Sequence, residues 1–294
     1  MITAKIIKDS FTHHGKRLTT FELEYPRFIH SELMTHRATS KNSSSSRALP
    51  HKTMRDAVWN QMALPIHWGK HQSGMQANKE LTGIKLFLAK WLVKTSGRMM
   101  CLFVWALAKC DLAKQVTNRY IEPWSHIKIV FSATELDNFF YLRHHPDAQP
   151  EFYELAKLMY KEYCKSQPRY LAMGEWHLPY LNHIFTQDGQ IKYYIPSDVS
   201  SKFCEFVSLE DGKKLSASLC AQVSYRKSDM SLNKALKIYN RLVESKPVHA
   251  SPFEHQATPM EKATDRDANY IGWRQFRSEI PDNVCTRYLS GAGE

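Results

Sequence analysis

The most informative segment of the chain is a short block rich in anion-binding groups. His36 and Arg37 are followed by seven residues, then Ser45, and then Arg47. A guanidinium offers a planar fork of donors to paired oxygens, and serine hydroxyls and loop N–H groups complete such a cradle. The block therefore predicts a site for a phosphate or carboxylate. A solvated serine-rich loop that contains two arginines is the alternative from composition alone.

The elements around this block must hold it in place. We expect strands at residues 4–9 and 17–24, and at residues 127–131, which are β-branched and apolar. A helix is expected over residues 25–36, with Pro26 near its start, where the missing N–H costs nothing. Helices are also expected at residues 81–93, interrupted near Gly97, and at 98–115, 138–143, 151–163 and 232–242. We expect the aromatic and methionine side chains of the 81–115 region to lie in the core. The segment GEWHLPY at residues 174–180 contains groups that could stack on a ring, but it is expected to form a surface loop that packs its aromatic side chains.

Composition narrows the class of protein. The chain has 294 residues, 43% of them hydrophobic, which is enough to form a substantial core. Its six cysteines form no CxxC pair and have no histidine spacing suited to zinc, so we expect no disulfide and no metal. We find neither a spanning apolar segment nor a signal peptide, and therefore expect a cytoplasmic protein without a membrane partner.

The formal net charge of +11 has two explanations. A basic protein can bind nucleic acid or small polyanions. The sequence contains no zinc finger, no RNP-like aromatic motif and no basic heptad array, so no nucleic-acid partner is expected. A pocket for anionic nucleotides and cofactors accounts for the charge equally well.

Several separated motifs together resemble the flavin-dependent thymidylate synthases. The family signature is similar to the block at His36, Arg37, Ser45 and Arg47, although Thr35 replaces its first arginine. Further similar segments are KQVTNRYIEP (114–123), ATELDNFFYLRHHPDAQPE (133–151), LSASLCAQVSYR (215–226) and ASPFEHQATPM (250–260). The last two normally precede the others in the family, so the chain resembles a circularly permuted member. Permutation costs little where the termini lie close together at the surface.

The resemblance implies a fold, an activity and roles for particular residues. The fold would be α+β, a single domain over residues 1–294 with a central antiparallel sheet flanked by helices and insertions near 54–83 and 171–214. The reaction would convert dUMP to dTMP with methylenetetrahydrofolate and NADPH-reduced FAD, in a homotetramer whose active sites lie between subunits. The implied catalytic residues are Ser45 and Arg143. The implied substrate-binding residues are Glu32, Ser45, Ser46, Arg47, Arg119 and Arg143, and the flavin-binding residues are His36, Arg37, Asn138 and His255.

The resemblance has departures that leave alternatives open. Glu32 stands where the family usually has glutamine, Ser43 where it has glutamate, and Asp147 where a histidine is frequent. A carboxylate accepts hydrogen bonds but cannot donate them, so an altered pyrimidine or product is possible. One alternative is therefore a flavin enzyme that makes a 5-hydroxymethyl pyrimidine nucleotide. Another is a non-catalytic protein that binds nucleotides or nucleic acid.

Taken singly, three of the implied site residues have structural alternatives. Asn138 could cap a turn, His255 could be a loop histidine with its hydrogen bonds satisfied, and Arg119 could pair with Glu122.

Overall fold

A five-stranded sheet forms the centre of the fold, in the strand order β3-β4-β2-β1-β5. The computed structural model describes residues 1–74, 76–196, 206–224 and 231–286. The strands are β1 (Thr3–Phe11), β2 (Arg17–Pro26), β3 (Ser40–Ser43), β4 (His126–Ala133) and β5 (Arg169–Tyr170). Neighbouring strands are antiparallel except for β5, which pairs parallel with β1 at one edge. The expected α+β class and central sheet are confirmed, with this one parallel pairing added.

Helices and short hairpins surround the sheet. The helices are α1 (His30–Met34), α2 (His51–Asn60), α3 (Gly83–Lys109), α4 (Lys114–Thr117), α5 (Asp137–Arg143), α6 (Pro150–Lys165), α7 (Leu209–Ala221) and α8 (Leu232–Glu244). The outlying strands are β6 (Asn182–Phe185), β7 (Ile191–Tyr194), β8 (Ala257–Pro259), β9 (Arg266–Asp267), β10 (Tyr270–Ile271) and β11 (Trp273–Gln275). The helices expected at 138–143, 151–163 and 232–242 are confirmed as α5, α6 and α8.

The sheet separates two packed layers because successive side chains of a strand point to opposite faces. Phe131 of β4 packs on one face in a core that includes Phe139 of α5 and Phe152 of α6. Val130, its neighbour in the same strand, packs on the other face with Cys220 of α7. The helices α5 and α6 therefore cover one face, and the C-terminal part of the chain covers the other.

The helix expected over residues 25–36 is much shorter. Strand β2 continues through Tyr25, which pairs with Ile127, and ends at Pro26, which pairs with His126. Residues Arg27–Ile29 form a 3₁₀ turn before the five-residue α1. The extended pairing of β2 with β4 outweighs the local helical pattern, because each added residue extends the sheet ladder and buries Tyr25 completely.

The expected interruption at Gly97 is wrong, because α3 is one continuous helix of 27 residues. A Cβ atom at Gly97 would lie 2.6 Å from the Met62 side chain and 2.9 Å from the Trp124 side chain. Glycine at this position permits close packing rather than a break. The expected burial of this region is also wrong: of the α3 residues, Gly97, Cys101 and Val104 are buried, and many of its large apolar side chains are exposed.

Two features are absent from the described residues. In these four ranges, no helix is long and apolar enough to cross a bilayer. The same part of the chain contains no group of three or more His, Cys, Asp or Glu residues that could hold a metal ion.

Candidate active site

Three of the residues singled out from the sequence meet beside α1 and α5. His36 lies just past α1, with its ring centroid 5.0 Å from that of Phe139. The Nε of Arg143, the last residue of α5, donates a hydrogen bond of 2.9 Å to the Nε2 of His36. The Nη1 of Arg143 also lies 3.6 Å from Glu32 Oε2. The short helix α1 and the end of α5 therefore bring Glu32, His36 and Arg143 into one cluster.

The contacts of this cluster define the charge state of its histidine. Burial, together with the nearby charges of Arg143 and Lys41, lowers the pKa of His36 to about 4. His36 is therefore neutral at pH 7, and its Nε2 is the acceptor because Arg143 can only donate. The remaining ring proton is then assigned to Nδ1.

Arg143 is held on three sides but still reaches the surface. Its guanidinium carbon lies 4.7 Å from the centroid of the Phe152 ring, a favourable cation–π geometry. The exposed fractions of the Arg143 and Glu32 side chains are 23% and 33%, so solvent reaches both. A positioned cation beside a carboxylate and a neutral imidazole is suited to an anionic or enolate-like ligand with polar ring atoms.

Lys41 of β3 is a member of this neighbourhood that the sequence motifs did not indicate. Its ammonium donates to the backbone carbonyl of His36 and lies 6.0 Å from the Phe131 ring centroid. Burial lowers the pKa of Lys41 to about 8. The sequence feature that could have indicated Lys41 is its position between Ser40 and Asn42, two polar residues that are buried in β3.

The signature loop that follows β3 is anchored by backbone contacts. The Nδ2 of Asn118 donates to the carbonyls of Ser46 and Leu49 at 2.7 and 2.9 Å. The backbone N–H of Ser44 donates to the carbonyl of Lys128 in β4 at 2.8 Å. Ser46 is buried, Ser45 is half-buried and Arg47 is exposed. The loop is thus fixed while the Arg47 side chain extends into solvent.

Asn118 was missed from the sequence although it adjoins the predicted Arg119. Arg119 is 55% exposed, and its Nη1 lies 3.0 Å from Glu122 Oε1. The surface ion pair considered from the sequence is therefore present. Arg119 directly follows Asn118, which binds the signature loop. A phosphate bound there would have to compete with Glu122 for this guanidinium.

Arg37 and Asn138 are exposed and adjoin, in sequence, His36 and Phe139, whose rings contact each other. Arg37 follows His36 directly, and Asn138 precedes Phe139 in the first turn of α5. Both side chains face solvent. They are therefore accessible to a ligand that covers His36, and their donors match the phosphates and ring polar atoms of a dinucleotide.

His255 lies on the opposite face of the sheet from His36. Its Nδ1 is 2.8 Å from the Ser132 hydroxyl, and the side chain of Ser132 points away from the face that carries Phe131. His255 is completely buried, and this burial lowers its pKa to about 3. Its Nε2 is buried without a hydrogen-bond partner among the described residues. Within one chain, His255 and His36 therefore cannot contact the same ligand atom.

A buried hydrogen-bonded chain extends from His255 across the sheet. The Ser132 hydroxyl is 2.7 Å from that of Thr20, which lies 2.8 Å from His177 Nε2. His177 Nδ1 is 2.9 Å from the Ser10 hydroxyl. Burial lowers the pKa of His177 well below its ordinary value. The segment that contains His177 was expected to be a surface loop that packs its aromatic side chains. Trp176 is buried, in agreement with that packing, but the surface position is wrong because His177 and Leu178 are also buried.

Comparison with known proteins assigns the chain to a family. A family model described as "Thymidylate synthase complementing protein" matches residues 16–169, just over half of the chain, and the chain belongs to this family. The match includes Glu32, His36 and Arg143. The two C-terminal motifs that contain residues 215–226 and 250–260 lie outside the matched range.

The solved structures that match the chain are distant. Thymidylate synthase X from Helicobacter pylori, crystallised with FAD and dUMP, is 18% identical over 50% of this chain and 67% of that chain, with a TM-score of 0.34. The UMP/dUMP methylase PolB from Streptomyces cacaoi, bound with 5-Br UMP, is 18% identical over 56% of this chain and 89% of that chain, with a TM-score of 0.43. No curated protein sequence gives a significant match.

Proposed function

We propose that this protein is a flavin-dependent thymidylate synthase that converts dUMP to dTMP, with methylenetetrahydrofolate as the carbon donor and NADPH as the reductant of FAD. The observation that carries the proposal is the contact of Arg143 with both His36 and Glu32. These residues belong to separate motifs of the matched family segment. The proposal also includes a cytoplasmic location.

The nucleotide would bind between the cluster and the signature loop. Arg47 and Arg119, both exposed, are proposed to bind the phosphate, and the hydroxyls of Ser45 and Ser46 would add donors. Arg143 would face the pyrimidine, where a fixed positive charge stabilises negative charge that develops on the ring oxygen. Its stacking on Phe152 and its bond to His36 fix the guanidinium before the substrate arrives.

The residues present fit a flavin only in part. Arg37 and Asn138 offer accessible donors, and neutral His36 offers an apolar ring edge, so we propose that these three bind FAD. When bound and reduced, FAD would supply the hydride that completes the methyl group. The complete burial of His255 disagrees with the flavin contact expected for it from the sequence. Its hydrogen bond to Ser132 instead assigns it to the packing of the C-terminal part against the sheet.

A homotetramer with active sites between subunits is part of the proposal. The Glu32, His36 and Arg143 cluster lies at the surface of the single chain, so another subunit could close it. The residues near 54–83 and 171–214 are proposed to be insertions in one domain. Met54 packs with Cys101 of α3, and Leu178 packs with Leu215 of α7, so both regions contribute to cores.

A hydroxymethyl product is the second candidate, and Glu32 favours it. A carboxylate only 3.6 Å from Arg143 offsets part of the positive charge at the pyrimidine site and could accept a proton from water or from an amino group. This would also suit dCMP, whose ring carries an amino group in place of an oxygen. In both cases the protein would activate the same pyrimidine carbon.

The mass of the nucleotide product tests these proposals directly. Purified protein is incubated with FAD, NADPH, methylenetetrahydrofolate and dUMP. A methyl gain supports thymidylate synthesis, and a hydroxymethyl gain supports the second candidate. If dUMP and then dCMP both remain unchanged and no flavin binds, the chain is a non-catalytic binding protein. Strongly salt-dependent affinity for nucleic acid would then identify that class of ligand.

A further inference from the structure

Helix α3 presents a long apolar stripe to solvent. With about 100° of rotation per residue, eight positions of the helix fall within one narrow sector facing away from the protein. The last of them is Lys109, at the C-terminal end of the helix, and the seven before it form the stripe: Ile84, Leu88, Trp91, Thr95, Met99, Leu102 and Ala106. The five large apolar side chains among them are between 47% and 77% exposed. The opposite side of the helix, which includes Cys101 and Val104, packs on α2 and its neighbours.

The spacing of this stripe is symmetric about its central residue. Counted from Thr95 in either direction along the chain, the stripe positions lie four, seven and eleven residues away. An antiparallel copy of α3, related by a two-fold axis at Thr95, would therefore place Leu88 level with Leu102 of the other copy. Trp91 would similarly lie level with Met99. The small side chain at the centre would let the helices approach closely.

The size of the exposed surface matches that of a protein interface. Nine large apolar side chains of α3 are 47% to 77% exposed, namely Ile84, Phe87, Leu88, Trp91, Leu92, Met99, Leu102, Phe103 and Trp105. At roughly 100 Å² each, they expose on the order of 900 Å². The largest apolar patch of a typical monomer is about 300–600 Å², and a standard interface buries about 800 Å² on each partner.

The charges of the helix favour the antiparallel arrangement. Residues 81–110 contain no Asp or Glu, and the cations of α3 are Lys85, Lys90, Lys94, Arg98 and Lys109. In a parallel pair, every cation would lie level with its own copy. In the antiparallel pair centred on Thr95, each cation lies level with an uncharged residue, as Arg98 does with Leu92. The repulsion is therefore smaller in the antiparallel pair.

We infer that the exposed stripe of α3 binds the same stripe of a second copy of this chain, in an antiparallel pair whose two-fold axis passes Thr95. A membrane surface could also attract a basic apolar helix. It would place no requirement on the order of residues along the helix, however, whereas the symmetric spacing matches a two-fold contact. This pairing does not depend on the proposed reaction.

Charge substitutions at the pair of leucines test the contact and its direction. The full chain and its variants are compared by sedimentation velocity, with circular dichroism to verify folding. We expect Leu88→Glu and Leu102→Lys each to reduce the wild-type assembly to half its mass, because each places a charge against a leucine. Phe185→Glu, a similarly exposed site on β6, is the matched control and should leave the mass unchanged.

The decisive step is to mix the two variants. The antiparallel pair places the carboxylate introduced by Leu88→Glu in one chain level with the ammonium introduced by Leu102→Lys in the other, so the mixture should recover the wild-type mass. A parallel pair would not recover it, since the new charges would lie far apart. Failure of the mixture to recover, an unchanged mass of either single variant, or a monomeric wild type would each overturn the inference. A monomeric wild type that binds phosphatidylserine vesicles would identify a membrane surface instead.

Discussion

Replacement of Arg143 by alanine removes three contacts from the proposed site at once. It deletes the 2.9 Å hydrogen bond to His36, the approach to Glu32 and the stacking on Phe152. If Arg143 stabilises charge on the pyrimidine, the loss should lower kcat about 10²- to 10³-fold, as removal of one such donor does in other enzymes. Arg143→Lys retains the charge but not the planar fork, and should recover only a small part of the rate.

The same three contacts set the expected loss of unfolding free energy in Arg143→Ala. The hydrogen bond contributes about 1 kcal/mol and the cation–π contact about 0.5–2 kcal/mol. The ion pair contributes about 0–1 kcal/mol because solvent reaches both of its side chains. Together they give a loss of about 1.5–4 kcal/mol, which lowers Tm by roughly 3–16 °C, and the protein stays folded if its stability lies in the common range of about 5–15 kcal/mol.

The measurements are steady-state turnover of dUMP, the urea unfolding midpoint and the pKa of His36 by NMR. Burial and the charge of Arg143 both lower the pKa of His36, so the Arg143→Ala variant should show a pKa above about 4 but still below its ordinary value. Arg241→Ala, at an exposed position on α8, is the control and should change none of the three. Normal turnover in Arg143→Ala would refute the assignment of Arg143 to the site.

Three further results are expected. Arg47→Ala should raise the KM for the nucleotide by about 10- to 100-fold with an unchanged Tm, because the exposed side chain serves the ligand rather than the fold; an unchanged KM would remove Arg47 from the site. Asn118→Ala should lower the free energy of unfolding, measured by urea titration, by about 2–4 kcal/mol, because the carbonyls of Ser46 and Leu49 lose their donor. A smaller loss would show that water replaces the amide of Asn118. The low pKa values of His177 and His255 should make Tm fall as the pH is lowered from about 6.5 toward 4, because protons bind these histidines in the unfolded chain before they bind them in the folded chain. Each histidine contributes at most about 1.4 kcal/mol of lost stability per pH unit. A flat profile of Tm over that range would contradict neutral buried rings.

Much of the central sheet follows from local patterns in the sequence. The residue types in 4–9, 17–24 and 127–131 predicted β1, β2 and β4 within a few residues. The failures came from long-range pairing: Tyr25 and Pro26 stay extended because β4 lies beside them, and nothing local in that segment signals this partner. The apolar α3 also misled the prediction, since a helix with apolar residues on all sides does not reveal which side is covered.

The candidate site shows the same division. Its arginines and serines could be selected because the spacing in the signature segment resembles a family pattern. Lys41 and Asn118 could not be selected from the sequence. They donate to the backbone carbonyls of His36 and Ser46, and residue type does not predict such contacts. His255 could be selected by its motif, but its burial could not be foreseen.

The sequence by itself determined the family and the positions of β1, β2 and β4, because these depend on residue types at short spacing. It also supplied the proposal that the signature segment binds an anion. Tertiary structure alone decided that Arg143 contacts His36 across 107 positions, that His255 lies beyond the sheet, and that the stripe of α3 faces solvent. The physical reason is that strand pairing and packing bring together residues distant in the chain, while the alternation of each strand separates adjacent ones onto opposite faces.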